Sequence, residues 1–472
     1  MREQKKLNNS NKVALKVNIP EDVKRLYKLF IDAKYELYLV GGCVRDSLIG
    51  IEPHDWDMCT SAMPEETIRV LRSNHISYYT KGIEYGTIVA VLGNVDYEIT
   101  TYREDSMYTD GRRPDEVNYV RDLRTDLSRR DFTINAIAMN PVTLEIVDPY
   151  SGALDIDSKR LSCVGNAYDR FEEDGLRILR AIRFAIKYGL QIDEETKEAM
   201  HNKLGNLDKV AKERVTEEFR KLLCENKVIT DIFLEFSDII AYLIPEIKPC
   251  IGFNQNNKYH KHNVYEHLLA VTDLADTNKF EIKLAALLHD IGKPASYVED
   301  AEGKGHFYGH PKVSRDICVE LLKKDFRLSH EENELVLNLV EFHDEFIANT
   351  KKSVKRFLAK HGADFLDDWY VLKKADFDDH IFPNGKENLV NWYTDIGFVK
   401  EIEAQLLEEE TCFKLSDLAV NGNDIMQKLN LKPSKRVGEI LQMLFDKVID
   451  EEVENERNIL LDLAVELNDT CN

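Results

Sequence analysis

Asp55 and Asp57, in HDWDM, are the first residues whose types and spacing suggest chemistry. A two-residue step along a strand turns both carboxylates to one face, where they repel unless a cation lies between them. Mg²⁺ suits such a place, because it takes carboxylate oxygen and leaves positions for phosphate and water. Glu98, in VDYEITTYR, falls on a later strand from which a third carboxylate can join the cluster. Upstream, LYLVGGCVRDSLIG carries a buried strand into Gly41-Gly42 and then a helix bearing Arg45 and Asp46. That turn sets the N–H groups around Gly42, and the Arg45 guanidinium, where a phosphate could sit. A lone D-x-D reads more readily as solvated turn acids; the strand, the glycine pair and the later glutamate reverse that balance.

In EEDGLRILRAIRF, Asp174, Arg177, Arg180 and Arg183 recur every three residues. On one helix they form a narrow stripe of an acid and three guanidinium groups, with Leu176, Leu179, Ile182 and Phe184 elsewhere. An acceptor one turn from a fork of donors can read a base edge. Cytosine and adenine each offer an amino donor beside a ring-nitrogen acceptor, and guanine and uracil reverse the pattern. The bland alternative is a basic helix face with an internal ion pair.

Beyond residue 259 the chemistry changes to His267 in VYEHLL, His289-Asp290 in AALLHDIGKP, His310 in FYGHPK, His343 in VEFHD and Asp376 in KKADFDD. Imidazole with carboxylate suits Mn, Fe, Ni, Co or Zn, and an H…HD…D set makes one metal site with a position open to water. His310 and His343 can support a second metal, with His306 a nearby competitor. Asp344, Asp378 and Asp379 compete with Asp376 as the last ligand. Gly292-Lys293-Pro294 stops the helix behind Asp290 and leaves Lys293 free near a phosphate.

These groups need scaffolds. The chain has 472 residues, enough for two to four domains, and 63 Lys+Arg against 85 Asp+Glu give a net charge of −22, which excludes a globally basic nucleic-acid coat. From about residue 35, short β-rich runs (YELYLVGG, DWDMCT, ISYYTK, TIVAVLG, VDYEITTYR) surround a helical PEETIRVLRSN, which predicts a small α/β domain. Residues 104–119 are polar and aperiodic, a loop long enough to need a function. After about 150 the strand signals stop and the rest reads as almost all α. We divide the chain into a polar tail (1–17), an α/β head (18–150), a helical neck (151–250), the His/Asp domain (251–380) and a helical tail (381–472). Eight cysteines without C-x-x-C pairs argue for reduced, packed thiols. The opening MREQKKLNNSNKVALK has no apolar signal core, and no run of roughly 18 apolar residues occurs, so a cytoplasmic protein without membrane contact is expected.

The order GG-x-x-RD, D-x-D, RRDFTINAIAMNP (129–141) and EEDGLRILRAIRF (172–184) resembles the nucleotidyltransferase superfamily that includes DNA polymerase β, and within it the class II tRNA nucleotidyltransferase and bacterial poly(A) polymerase group. The His/Asp set is similar to the HD phosphohydrolase superfamily. The resemblance implies a multidomain fold: an α/β polymerase-β-like head, an all-α neck, an HD domain and a helical tail. It implies that Asp55 and Asp57 hold Mg²⁺ with Glu98 as third carboxylate. Asp174 and Arg177 would select CTP and ATP without a template, Arg180 and Arg183 would line the nucleotide site, and Arg130 would touch the triphosphate, with Arg129 solvated and Asp131 and Asn135 able merely to cap and brace. The expected substrates are CTP, ATP and the tRNA 3′ end, receiving CCA, with no obligate protein partner. The loop 104–115 would switch C to A addition. Lys435 and Arg436, opening a tail helix, would hold a tRNA phosphate, although Ser434 stands where the family commonly has Gly. The HD domain would take a divalent transition metal and hydrolyse phosphate from RNA ends or small phosphoesters. Rival expectations are a poly(A) polymerase, an enzyme adding A alone or CC alone, and a non-catalytic RNA-binding protein.

Overall fold

The computed structural model describes residues 17–105, 117–225, 228–381, 387–408 and 414–469. The chain divides into two compact units, with the division between Val228 and Ile229. The loop expected to govern C-to-A switching, and the polar tail before residue 17, lie outside the described residues except at their edges.

The first unit is built on a seven-stranded sheet. Its strands β1 (Leu37–Val40), β2 (Met58–Thr60), β3 (Ser77–Tyr79), β4 (Thr87–Leu92) and β5 (Val95–Thr101) lie in the order β3-β4-β5-β2-β1, followed by the short strands Ala138–Met139 and Ile146–Val147. β4 and β5 form a hairpin around Gly93-Asn94, both at positive φ, the geometry a two-residue turn between twisted strands needs. β2 runs antiparallel to β1 and parallel to β5, with Met58 opposite Ile99. One residue earlier, that register sets Asp57 beside Glu98. The sheet buries Leu37, Leu39, Met58, Ile88 and Ile99 against the apolar faces of α1 (Glu21–Asp32) and α3 (Pro64–Ser73), including Phe30 and Leu71. Each such side chain contributes about 1.5–3 kcal/mol when fully buried. Between β1 and β2 stands α2 (Gly42–Ile49), as the glycine-pair motif predicts.

Helices follow: Ala167–Glu173, Leu176–Tyr188, Glu194–Asn202 and Lys212–Cys224. The stripe EEDGLRILRAIRF is not one helix. Asp174 is extended (φ −148, ψ 105) and ends the first helix, and Gly175 begins the second. Packing is the cause, because a Cβ on Gly175 would stand 2.4 Å from the Asn206 carbonyl oxygen. Two short ribbons also interrupt the expected all-α region: Arg160–Leu161 pairs with Gln191–Ile192, and Val298–Glu299 with Gly305–His306.

The second unit is helical. Val264–Leu274, Phe280–Leu288, His310–Asp325, His330–Phe342 and Ala363–Asp379 form its first part, the first of these opened by an Asn263/Glu266 capping box. Residues 229–243, assigned to the neck by composition, pack here instead: the Tyr265 hydroxyl donates to the Phe233 carbonyl and Asp273 accepts from the Ile229 N–H. The tail helices Gly422–Leu429, Lys435–Ile449 and Arg457–Asp469 share a core of Ile425, Ile440, Leu444 and Leu460. Arg356, on the helix Lys351–His361, joins the tail through a two-pronged pair with Asp450. No helix among the described residues is long and apolar enough to cross a membrane. None of the six described cysteines is in a disulfide, and Cys412 and Cys471 lie outside the described residues.

Candidate active site

In the first unit the strand β1 ends at Gly41, whose φ of +77 only glycine adopts without strain. A Cβ there would come within 3.1 Å of the Arg130 guanidinium, so Arg130 rests against the turn where the sequence places a phosphate. Gly41, rather than Gly42, is therefore the constrained member of the pair. Asp57 is fixed through its carbonyl, which accepts from the Val40 N–H at 3.0 Å. Its carboxyl is pushed up to about 6 by desolvation and by the charges of Glu98 and Asp55, with Arg130 opposing. The three carboxylates thus feel one another, and a divalent cation would relieve their repulsion.

Behind them runs a continuous set of hydrogen bonds. Arg45 donates to the Asn135 side-chain oxygen (2.6 Å), the Asn135 amide donates to Asp131 (2.9 Å), and Arg180 donates to the other Asp131 oxygen (2.6 Å). Arg45 also lies 4.4 Å from the Tyr188 ring centre. Asp131 is buried, yet Arg180 and Asn135 hold its carboxyl well below the usual carboxylate range. This relay ties α2 to the helix Leu176–Tyr188, so Asp131 and Asn135 brace the two arginines.

Asp174 and Arg177, expected to read the base, do not pair with each other. Asp174 caps the Leu176 N–H at 3.0 Å and pairs with Arg214 at 2.7 Å. Arg177 goes to Glu173 at 2.6 Å and to the carbonyls of Arg170 and Arg129. The break at Gly175 turns the two side chains to different partners. Arg183 is buried against Glu218, and Arg129, expected to be solvated, is held with Arg130 on the buried Asp126. Sequence reading missed Arg214 and Glu218, which lie on a helix 40 and 35 residues away in the chain.

In the second unit the predicted histidines converge. The Nδ1 atoms of His289, His310 and His343 lie 2.8–2.9 Å from the carbonyl oxygens of Ala286, Phe307 and Val340, and His267 Nδ1 lies 2.8 Å from Asp379. Those partners only accept, so each Nδ1 carries a proton and each ring aims its Nε2 inward. His267 and His289 bring Nε2 atoms to 3.3 Å of each other, as do His310 and His343. Asp290 lies between the pairs: Oδ2 is 3.3 Å from both His267 and His289, and Oδ1 is 2.9 Å from His310. Among the described residues, the donor groups gathered tightly enough for a metal are His267, His289 and Asp290, and Asp290, His310 and His343. Asp376 reaches the first group, 3.2 Å from His267 Nε2.

Of the competitors for the last ligand, Asp379 lies against His267 Nδ1, Asp344 pairs with Lys373, and Asp378 pairs with Lys374. The negative field is strong. Against desolvation, Asp290, Asp376 and Asp379 push the His267 imidazole up to about 10. Lys293 is not free: it is buried and bonded to Asp290 and to the Gln255 side-chain oxygen.

A model described as the Poly A polymerase head domain matches residues 37–162, one described as the HD domain matches 262–381, and a tRNA nucleotidyltransferase domain 2 model matches 380–464. The CCA-adding enzyme of Lactococcus lactis is 31% identical over 450 residues, covering 93% of this chain and 96% of that protein. The chain belongs to the CCA-adding enzyme family. It is a nucleotidyltransferase. Its fold matches the Bacillus stearothermophilus CCA-adding enzyme solved with CTP (TM-score 0.68, 24% identity, 95% of this chain and 97% of that one). It also matches the Thermotoga maritima CCA-adding enzyme solved with tRNA (TM-score 0.54, 19% identity, 95% of each chain).

In this CCA-adding family member the tail positions differ in character. Arg436 donates to the Leu467 carbonyl and so ties two tail helices together, while the Lys435 side chain is 94% exposed at the helix start.

Proposed function

We propose that this chain adds C, C and A to the 3′ end of tRNA from CTP and ATP without a template. The reading is carried by the match to a CCA-adding enzyme along 93% of the chain, and supported by the carboxylate cluster and arginine-lined helix. Asp55, Asp57 and Glu98 would hold Mg²⁺, which when bound supplies charge neutralisation at the phosphates and draws the RNA hydroxyl and the α-phosphate together. The 3′-hydroxyl gives its proton to a carboxylate of this cluster, its oxygen bonds the α-phosphorus as the bond to the bridging oxygen breaks, and pyrophosphate leaves. Gly41, Gly42, Arg45 and Arg130 seat the triphosphate. Asp174 and Arg177 read the base from the two sides of the Gly175 break, held by Arg214 and Glu173, and Arg180 and Arg183 line the nucleotide site. Lys435 offers its cation to the tRNA backbone. Incubating the protein with tRNA lacking CCA and each NTP, read at nucleotide resolution, tests this: C, C, A in order is expected, and a run of A would identify a poly(A) polymerase.

A second activity rests on the helical unit. Asp290 Oδ1 lacks a hydrogen-bond donor and faces the His310 Nε2 lone pair at 2.9 Å, an arrangement of two acceptors that a cation stabilises. His267, His289, Asp290 and Asp376 would hold one divalent transition metal, and Asp290, His310 and His343 a second. Bound there, the metals would supply an acidified water and a positive field for phosphate hydrolysis. The chemistry complements the head, which needs a free 3′-hydroxyl. Assay of RNA ending in a 3′- or cyclic phosphate with Mn²⁺, Ni²⁺, Co²⁺ or Zn²⁺ tests it, and no release with any metal would refute it.

A further inference from the structure

The His/Asp centre opens into a cavity of about 360 Å³, large enough for a nucleotide. Its wall is part polar and part apolar, and Tyr308, which lines it, is 75% exposed. With Phe346, three residues past His343 and 81% exposed, it is one of the two most exposed large apolar side chains among the described residues. The Tyr308 ring lies nearly parallel to His306 (3° between planes, centres 5.4 Å apart), and His306 is held by Asp300 at 2.8 Å. The segment beneath is fixed, because Gly305 packs so closely on Gln255 that a Cβ would come within 2.3 Å of its carbonyl oxygen. Tyr308 is also two residues before His310. A braced, outward aromatic ring beside a phosphate-hydrolysing centre has the form of a surface on which a base stacks.

We propose that Tyr308, backed by His306, is a nucleobase platform, so that this centre takes a nucleoside phosphate in preference to a phosphoester lacking a base. The inference rests on the phosphohydrolase reading above for its reaction, but not for the binding step. Aromatic stacking accepts any base, so selection acts on the presence of a base rather than its identity. The phosphate faces the metal ligands and Lys293, and the base lies against the ring.

The binding test uses the full chain freed of metal with EDTA and 2-aminopurine riboside 3′-monophosphate, whose fluorescence is quenched by stacking. The ligand lacks the triphosphate the head requires, and the head is identical in every variant. Tyr308→Ala should weaken binding about tenfold and Tyr308→Phe should leave it unchanged. Glycerol 2-phosphate, followed by calorimetry, should bind wild type and Tyr308→Ala alike. Equal nucleotide binding by wild type and Tyr308→Ala, or equal loss for glycerol 2-phosphate, would overturn the platform. A parallel hydrolysis arm with Mn²⁺ compares the nucleoside 3′-phosphate, the same phosphate ending an RNA oligomer, and glycerol 2-phosphate. A drop of about tenfold in kcat/KM for either base-bearing substrate in Tyr308→Ala, sparing glycerol 2-phosphate, supports the proposal and identifies the free nucleotide or the RNA end as the source. Quenching that depends on Tyr308 without hydrolysis by any metal would sink the hydrolase reading and leave the platform as a binding site.

Discussion

The two units present metal-binding chemistry in opposite ways. In the head, Asp55 and Asp57 stand in the segment before β2 and Glu98 within β5, at the surface, with Arg130 the cation acting on Asp57. In the helical unit, every inward-facing imidazole is buried or half-buried and locked from behind by a carbonyl or by Asp379. The difference teaches that the proposed Mg²⁺ site would depend on substrate phosphates to complete the cation's shell. The second is organised by the protein alone.

That contrast can be broken experimentally. Asp57→Ala should reduce single-turnover nucleotide addition by at least about a thousandfold, since several kcal/mol of charge stabilisation are lost, while the metal content of the helical unit, read by mass spectrometry, stays the same. Near-normal addition would remove the proposed Mg²⁺ site. Replacing His289 and Asp290 with Ala should abolish both metal retention and phosphate hydrolysis yet spare CCA synthesis; a collapse of both activities in a folded protein would contradict two separate centres. Asp379→Ala touches no proposed metal and should still weaken metal affinity about 10–100-fold by releasing His267, whereas unaltered affinity in a competition with a chelating dye would show that orientation from behind is dispensable. The smallest effect sharpens the head. Arg214→Ala should relax the preference for CTP and ATP over UTP and GTP by about tenfold, as Asp174→Ala should, because the carboxylate loses its 2.7 Å partner. Unchanged base choice in a four-nucleotide competition would make that ion pair structural.

What the sequence revealed follows the range of the interactions. The glycine pair with Arg45 and α3 are local patterns, and the fold keeps them, whereas Asp55 and Asp57, expected on a strand, stand in the segment before β2. The His/Asp set was legible despite its chain separation because few residue types ligate metals and they stand out on apolar helices. Base reading was less legible. Three-residue spacing implied one helix carrying Asp174 and Arg177 on a single stripe, but the break depends on Asn206, and the partner of Asp174 lies 40 residues on. Lys293 was similarly misread as free, since nothing near it in the chain announces Gln255, 38 residues away. The neck was divided from the His/Asp domain at residue 250, and the packing of 229–243 on Tyr265 and Asp273 is a contact that composition does not mark.

Gly175 bears on how this chain can drift in sequence. Any side chain there would press on the Asn206 backbone, and Asn206 in turn donates to the Phe171 carbonyl on the preceding helix. A substitution would therefore spread the two helices and displace Asp174 in the same stroke. Compensation elsewhere in the core could restore the lost stability but not the position of that carboxylate. The neck can accumulate changes on its outer faces, while this one position stays closed to all but the smallest residue.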